Sequence, residues 1–217
     1  MWTVRIEFVR NQRRKHVSLQ ILLNMAECGF GMRLAIASIS KRFPQARNIS
    51  TTWLEGRLHH SQESSSSTSP VKILDCRSEE EFNISHIEDA VNINYESPAE
   101  EILTVWKIDQ STHGDHSHGN SLVNTEAVIT RCFTNAVDVV CYCSVGYRSA
   151  LVAQKLQDHV RKSTGDKNLS FYNLKGGLFK WANENRRMVD LQGEITKFAH
   201  PYNAVFGKLL NSELHKS

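Results

Sequence analysis

A cysteine, a glycine and an arginine fall within one six-residue stretch, Cys143-Ser144-Val145-Gly146-Tyr147-Arg148. It follows the apolar run Val137 to Tyr142 and precedes a helical pattern from Ser149 to Val160 with Leu151, Leu156 and Val160 facing inward. That order predicts a buried strand, a tight loop and a helix in immediate succession. Open α/β sheets bind ligands in such loops, outside the carboxyl ends of their strands. The first amides of a helix have no intrahelical partner, and its dipole adds partial positive charge at the same end, so the loop can converge N–H groups on one anion. A cysteine sulfur placed there is expected to ionise below the ordinary value of about 8.5, and the thiolate is the reactive form. Arg148 adds a permanent cation, and Gly146 allows a turn that a side chain would oppose. Cys143 is the candidate nucleophile; Ser144, Val145, Gly146, Tyr147 and Arg148 form the candidate substrate cradle. Cys141, inside the apolar run, is expected to be buried.

The elements that must position this loop alternate along the chain. Val71 to Leu74 predicts a strand ending at Asp75-Cys76-Arg77, and Ser78 with Glu81 forms a capping box for a helical turn holding Phe82. Ala90 to Ile93 predicts another strand, and Ser97, Pro98 and Glu100 open a helix with Ile102, Leu103 and Trp106 along one side. Leu122 to Phe133 is expected to be helical, Leu169 to Tyr172 a strand, and Lys175-Gly176-Gly177 leads into a helix with Phe179 and Trp181. Repeated strand-helix alternation predicts an α/β fold with a central parallel sheet and helices on both faces.

The chain has 217 residues, 40% of them apolar and 23% charged, enough to pack one core and too little net charge for wholesale disorder. The net charge of +3 is uneven: residues 1–47 carry nine Lys or Arg against Glu7 and Glu27, leaving the rest acidic. Those residues are expected to be a basic leader, for which three explanations stand: an organelle-targeting segment, an over-extended start with translation beginning at Met32, or a basic surface segment. The first would send the protein to a mitochondrion or plastid; otherwise a cytoplasmic location is expected. Order is expected to begin near Ile49, with Thr52 and Glu55 as a capping box for a short helix holding Trp53 and Leu58. Gln62 to Pro70 is a polar, Ser-rich connector. No dense basic stripe with interleaved aromatics points to nucleic acid. The best membrane candidate, Val17 to Ser38, is broken by Asn24, Glu27, Gly29, Gly31 and Arg33. Five cysteines, odd in number and irregularly spaced, suit a reducing compartment.

Leu74-Asp75-Cys76-Arg77, the Glu80 to Ala90 block with His86-Ile87, the Cys143 loop and Leu174-Lys175-Gly176-Gly177-Leu178-Phe179-Lys180-Trp181 occur in that order. Together they resemble the signature blocks of a rhodanese-like domain. Trp181-Ala182-Asn183-Glu184 and His200-Pro201-Tyr202 are similar to the tail of single-domain members of bacterial and algal type. The resemblance implies residues 48–190 as one rhodanese-like domain, with 191–217 as a C-terminal extension. It implies sulfur transfer through a persulfide on Cys143, without cofactor or metal, from a small anionic donor such as thiosulfate, which Arg148 would bind, to a thiol, protein thiol or cyanide acceptor. Asp75, Arg77 and His86 would be supporting residues. The alternative is a catalytically weak regulatory or protein-binding module.

Related phosphatases and arsenate reductases on this fold carry one more residue between cysteine and arginine, so the shorter loop here argues against phosphoryl chemistry. Two departures stand out. Asp89 occupies a place where the family usually has glycine, and Ser144 and Val145 are uncharged where thiosulfate-preferring members are basic. Among side signals, His113, His116 and His118 lack the frame of a closed metal site and are expected to be a solvated loop. Cys76 could approach Cys143 as a resolving thiol, but packing is the expected role. Gly176-Gly177 suggests close helix packing rather than a phosphate loop.

Overall fold

The computed structural model describes residues 29–63, 71–111, 137–163 and 169–217. Five parallel strands form one sheet: β1 (Asn48–Ile49), β2 (Val71–Asp75), β3 (Ala90–Asn92), β4 (Val137–Tyr142) and β5 (Leu169–Leu174), in the spatial order β1-β5-β4-β2-β3. The central strand β4 pairs with β2 at Leu74↔Cys141 and with β5 at Cys141↔Asn173, so its carboxyl end opens between two neighbours. Its near-continuous burial is what a strand covered on both faces requires.

Alternation along the strands sends side chains into two cores. Ile73, Val140 and Tyr142 join Leu54, Leu178 and Phe179, from α2 (Thr51–Glu63) and α6 (Gly177–Asn183). Leu74, Cys76, Val139, Cys141 and Cys143 join Ile102, Leu103, Val152, Leu156 and Val160, from α4 (Ala99–Ser111) and α5 (Tyr147–Ser163). A short α3 (Glu79–Ile84) lies between β2 and β3, and an antiparallel pair, β6 (Met188–Val189) and β7 (Ile195–Thr196), follows α6. Two 3-10 turns, Phe206–Leu209 and Ser212–Leu214, end the chain, with Leu210 and Leu214 buried in the first core.

Several local expectations change. Order begins before Ile49: α1 (Phe30–Arg42) buries Met32 and packs Ile36 and Ile39 against the core. Its sequence hides this because only a narrow side of the helix is covered. The α2 N-terminus is capped by Ser50, whose Oγ accepts the Trp53 N–H at 3.1 Å. Thr52 and Glu55 instead face Arg186, so they form no capping box. The Ser78–Glu81 capping box is present. Leu151, expected to face inward, is 39% exposed, because α5 starts at Tyr147 and turns that position outward. The proposed helix Leu122 to Phe133, the His113, His116 and His118 loop, and most of the Ser-rich connector lie outside the described residues. Among the described residues, no helix is long and apolar enough to cross a membrane.

Candidate active site

Strand β4 ends at Tyr142, and residues 143–146 turn directly into α5. Cys143 is 1% exposed, and its Sγ accepts the Gly146 N–H at 3.2 Å. Gly146 makes this possible with φ +106°, a left-handed geometry that side-chain-bearing residues rarely adopt. From the other side, Leu178 N–H donates to Cys143 O at 2.8 Å and Phe179 N–H to Ser144 O at 3.0 Å. Gly177, at φ +55°, lets α6 approach: a Cβ there would stand 2.1 Å from Cys143 O. The Gly-Gly pair thus packs the helix onto the cysteine loop.

Ser149, in the first turn of α5, is a site residue that the loop pattern did not single out. Its Oγ lies 3.5 Å from Cys143 Sγ and 2.7 Å from Asn173 Oδ1, to which it donates. Asn173 Nδ2 donates in turn to Asn48 Oδ1 at 2.8 Å. A polar chain therefore runs from the sulfur across β5 to β1. A serine in the first turn of a helix whose side chain must face the strand it follows was the available signal.

Arg148 is held by a partner of its own. Its Nη1 donates to Glu81 Oε2 at 2.8 Å, and its Nη2 donates to Glu81 Oε1 at 3.0 Å and to Ser144 Oγ at 2.9 Å. Ser144 Oγ donates to Glu81 Oε1 at 2.5 Å. The carboxylate is buried, which alone would raise its pKa; the bonds from Arg148 and Ser144 outweigh that and lower it. Arg148 is raised above the ordinary arginine value despite partial burial, chiefly by Glu81. Glu81 thus has two tasks, the α3 capping box and neutralisation of the loop arginine, and only the first is encoded locally.

Asp75 and Arg77 form a fully buried ion pair, with Nη2 to Oδ2 at 2.6 Å and Nε to Oδ1 at 3.0 Å. Arg77 Nη2 also donates to Ser85 O at 2.6 Å, tying β2 to the end of α3. Burial opposes the charge on Arg77, but Asp75 beside it raises its pKa above the ordinary value. His86 stacks on Phe82 at 3.9 Å between ring centroids, its Nδ1 lies 3.1 Å from Phe82 O, and its backbone pairs with Val189. Ile87 N–H donates to the buried Tyr142 hydroxyl at 3.1 Å, a further link between this block and β4. Cys76 is completely buried; burial pushes its thiol pKa up, and its hydrogen bond with Cys141 adds to the shift. Among the described residues, no cluster of His, Cys, Asp and Glu has a metal-binding arrangement.

Above the sulfur opens a pocket of about 250 Å³, bordered by the loop and by Tyr202 and Phe206 of the C-terminal segment. The Arg148 guanidinium lies 4.7 Å from the Tyr202 ring centroid and 5.9 Å from that of Tyr95. Tyr147, which lines the same pocket, meets Phe43 edge-on at 5.1 Å. The residues just after α1 thus support one wall and the tail supplies another. Phe179 and Trp181 are buried in the core; Trp181 borders a separate cavity and donates Nε1–H to Arg187 O at 2.8 Å.

Three solved structures similar to this chain illustrate the range of its likenesses. A rhodanese-related protein from Thermoplasma volcanium shares 19% identity, with 66% of this chain and 97% of that one covered and a TM-score of 0.38. A thiosulfate sulfurtransferase from Pseudomonas aeruginosa shares 13%, with 75% and 23% covered and a TM-score of 0.45. A yeast protein tyrosine phosphatase of the rhodanese family shares 15%, with 63% and 83% covered and a TM-score of 0.38. No curated protein matches the chain. The rhodanese-like domain pattern matches residues 44–184, which include the five-stranded sheet, the cysteine loop and α6, and the chain belongs to the rhodanese-like domain family.

Proposed function

We propose that the protein is a single-domain sulfurtransferase in which Cys143 carries the transferred sulfur. The observation that carries this reading is the Gly146 N–H aimed at Cys143 Sγ in a loop braced from both sides, at the floor of a pocket. In the first half-reaction the Cys143 thiolate attacks the outer sulfur of a donor such as thiosulfate. The donor S–S bond breaks, sulfite leaves with its electron pair, and a persulfide remains on Sγ. In the second, a thiol or cyanide attacks the outer sulfur of that persulfide, and the Sγ–S bond breaks to return the thiolate. The Gly146 amide stabilises negative charge on sulfur in a site where little water competes. Ser149, fixed by Asn173, offers a hydroxyl that can turn toward the sulfur as charge develops there.

The Glu81–Arg148 pair makes a second reading specific. With the loop cation neutralised and Ser144 and Val145 uncharged, an inorganic dianion finds little net positive charge here, which favours a weak catalyst or a protein-binding module. The experiment that separates them is intact-mass measurement of the full chain after exposure to thiosulfate and to organic persulfides, followed by cyanide. One added sulfur on Cys143, discharged as thiocyanate and absent from Cys143→Ser, is the expected result. No sulfur on Cys143 from any donor would overturn the enzymatic reading, and hydrolysis of an aryl phosphate would replace it with phosphatase chemistry.

A further inference from the structure

The C-terminal segment builds a wall over Cys143 with more structure than a passing tail needs. Tyr202 has φ +64°, a left-handed backbone that is costly for a bulky residue. Local bonds hold it there: His200 Nδ1 accepts the Tyr202 N–H at 2.9 Å, and Pro201 O accepts the Asn203 N–H at 2.8 Å. Asn203 Oδ1 then accepts the Val205 and Phe206 N–H groups at 3.0 and 2.9 Å, starting the turn that carries Phe206. Behind this turn Asn183, at the end of α6, clamps the tail: its Nδ2 donates to Leu209 O at 2.8 Å and its Oδ1 accepts the Asn211 N–H at 2.9 Å. The rings of Tyr202 and Phe206 are therefore presented by a braced segment, with centroids 6.0 Å apart and planes tilted by 49°.

The pocket between these rings and the sulfur is shaped for an apolar plane rather than for a compact anion. Its walls include Tyr147, Tyr202, Phe206 and Val145, and its one cation among the described residues, Arg148, is already bound by Glu81. A volume of about 250 Å³ exceeds the roughly 150 Å³ that suffices to hold benzene in an apolar protein cavity. A charged inorganic group would surrender hydration here without gaining a free counter-ion, whereas an aromatic ring gains three ring neighbours.

We infer that this pocket is a subsite for an aryl group on the sulfur acceptor, with Tyr202 and Phe206 as its specificity-determining walls. The inference rests on the sulfurtransferase reading above and names its substrate class: an aromatic thiol. In the step concerned, the sulfur of ArSH attacks the outer sulfur of the Cys143 persulfide anion. A new S–S bond forms as the Sγ–S bond breaks, the released electron pair stays on Sγ as thiolate, and the proton of the thiol ends on the product ArS–SH. No oxidant or reductant is required.

Two measurements on the full chain test it. The first compares alkylation of Cys143 by N-phenyl-iodoacetamide and by iodoacetamide, with modification at that residue followed by peptide mass spectrometry. The second compares persulfide discharge by thiophenol and by 2-mercaptoethanol. Wild type should favour the aryl reagent in each case by about tenfold over the preference of free cysteine, the discrimination one apolar contact surface supplies. Tyr202→Asn keeps a residue type tolerant of the left-handed backbone while removing the ring, and Phe206→Ala removes the other wall. The pair should abolish the preference, and Tyr202→Phe should retain it. Equal preference in wild type and the double variant, with both folded by circular dichroism, would overturn the subsite. If no persulfide forms, the sulfurtransferase reading falls, and the alkylation ratio still decides whether the aryl subsite exists.

Discussion

Replacing Gly177 by alanine puts a methyl group where the cysteine loop already is. The new Cβ would stand 2.1 Å from Cys143 O and 2.8 Å from Ser144 O, and both are backbone atoms that cannot swing aside. These same oxygens accept the Leu178 and Phe179 amides, so any retreat of the loop lengthens two hydrogen bonds. Gly193 provides the matched control: it has φ +80° against +55° at Gly177, but a Cβ there meets nothing within 4 Å. Left-handed backbone costs an alanine about 1–2 kcal/mol at either position. Only Gly177→Ala adds overpacking of about 1–3 kcal/mol and weakening of two bonds each contributing about 0.5–1.5 kcal/mol. The expected losses are about 1–2 kcal/mol for Gly193→Ala and about 3–8 kcal/mol for Gly177→Ala, a large part of the roughly 5–15 kcal/mol that stabilises a domain. Urea unfolding followed by tryptophan fluorescence measures both. Alkylation of Cys143 below the unfolding transition should also change rate in Gly177→Ala alone, because the displaced loop no longer aims Gly146 at the sulfur. Losses for the two variants within about 1 kcal/mol of each other would refute the claim that α6 braces the loop through this glycine.

Further outcomes follow from other contacts. Glu81 has a folded-state pKa below its ordinary value of 4.5, so its contribution to stability is complete above that value and disappears as pH falls through the lowered one. Acid titration of unfolding stability should therefore be shallower for Glu81→Gln than for wild type, and identical slopes would contradict the pairing with Arg148. Removing Arg77 as Arg77→Ala leaves the Asp75 carboxylate buried without its partner and should cost about 3–5 kcal/mol, measured by chemical denaturation. Asn183→Ala cuts both clamps on the tail; limited proteolysis should then cleave within residues 200–212 faster than in wild type, with loss of about 1–3 kcal/mol. Asp89 occupies the left-handed region at φ +61°, so thermal melts should rank Asp89→Gly above Asp89→Ala by about 1 kcal/mol.

The parts of this protein visible in its sequence are those whose signal is contained in a few neighbouring residues. Cys143, Gly146 and Arg148 lie within one strand-to-helix turn and the Ser78–Glu81 box closes over four residues, so spacing alone exposes them, whereas the support expected of Asp75 and Arg77 comes from the family resemblance and their ion pair from the structure. Strand periodicity likewise specifies an α/β chain, because a strand covered on both faces must be apolar almost throughout. What surrounds the thiol depends on pairs that are far apart in sequence: Glu81 with Arg148, Ser149 with Asn173, and Tyr202 over the Arg148 guanidinium. No local pattern marks such partners, since each meets the other only after the order β1-β5-β4-β2-β3 is assembled and the tail has docked on α1 and α6. The nucleophile is thus written in a short segment, whereas the charge and shape around it arise from packing, where burial and chain crossing decide which side chains face the sulfur.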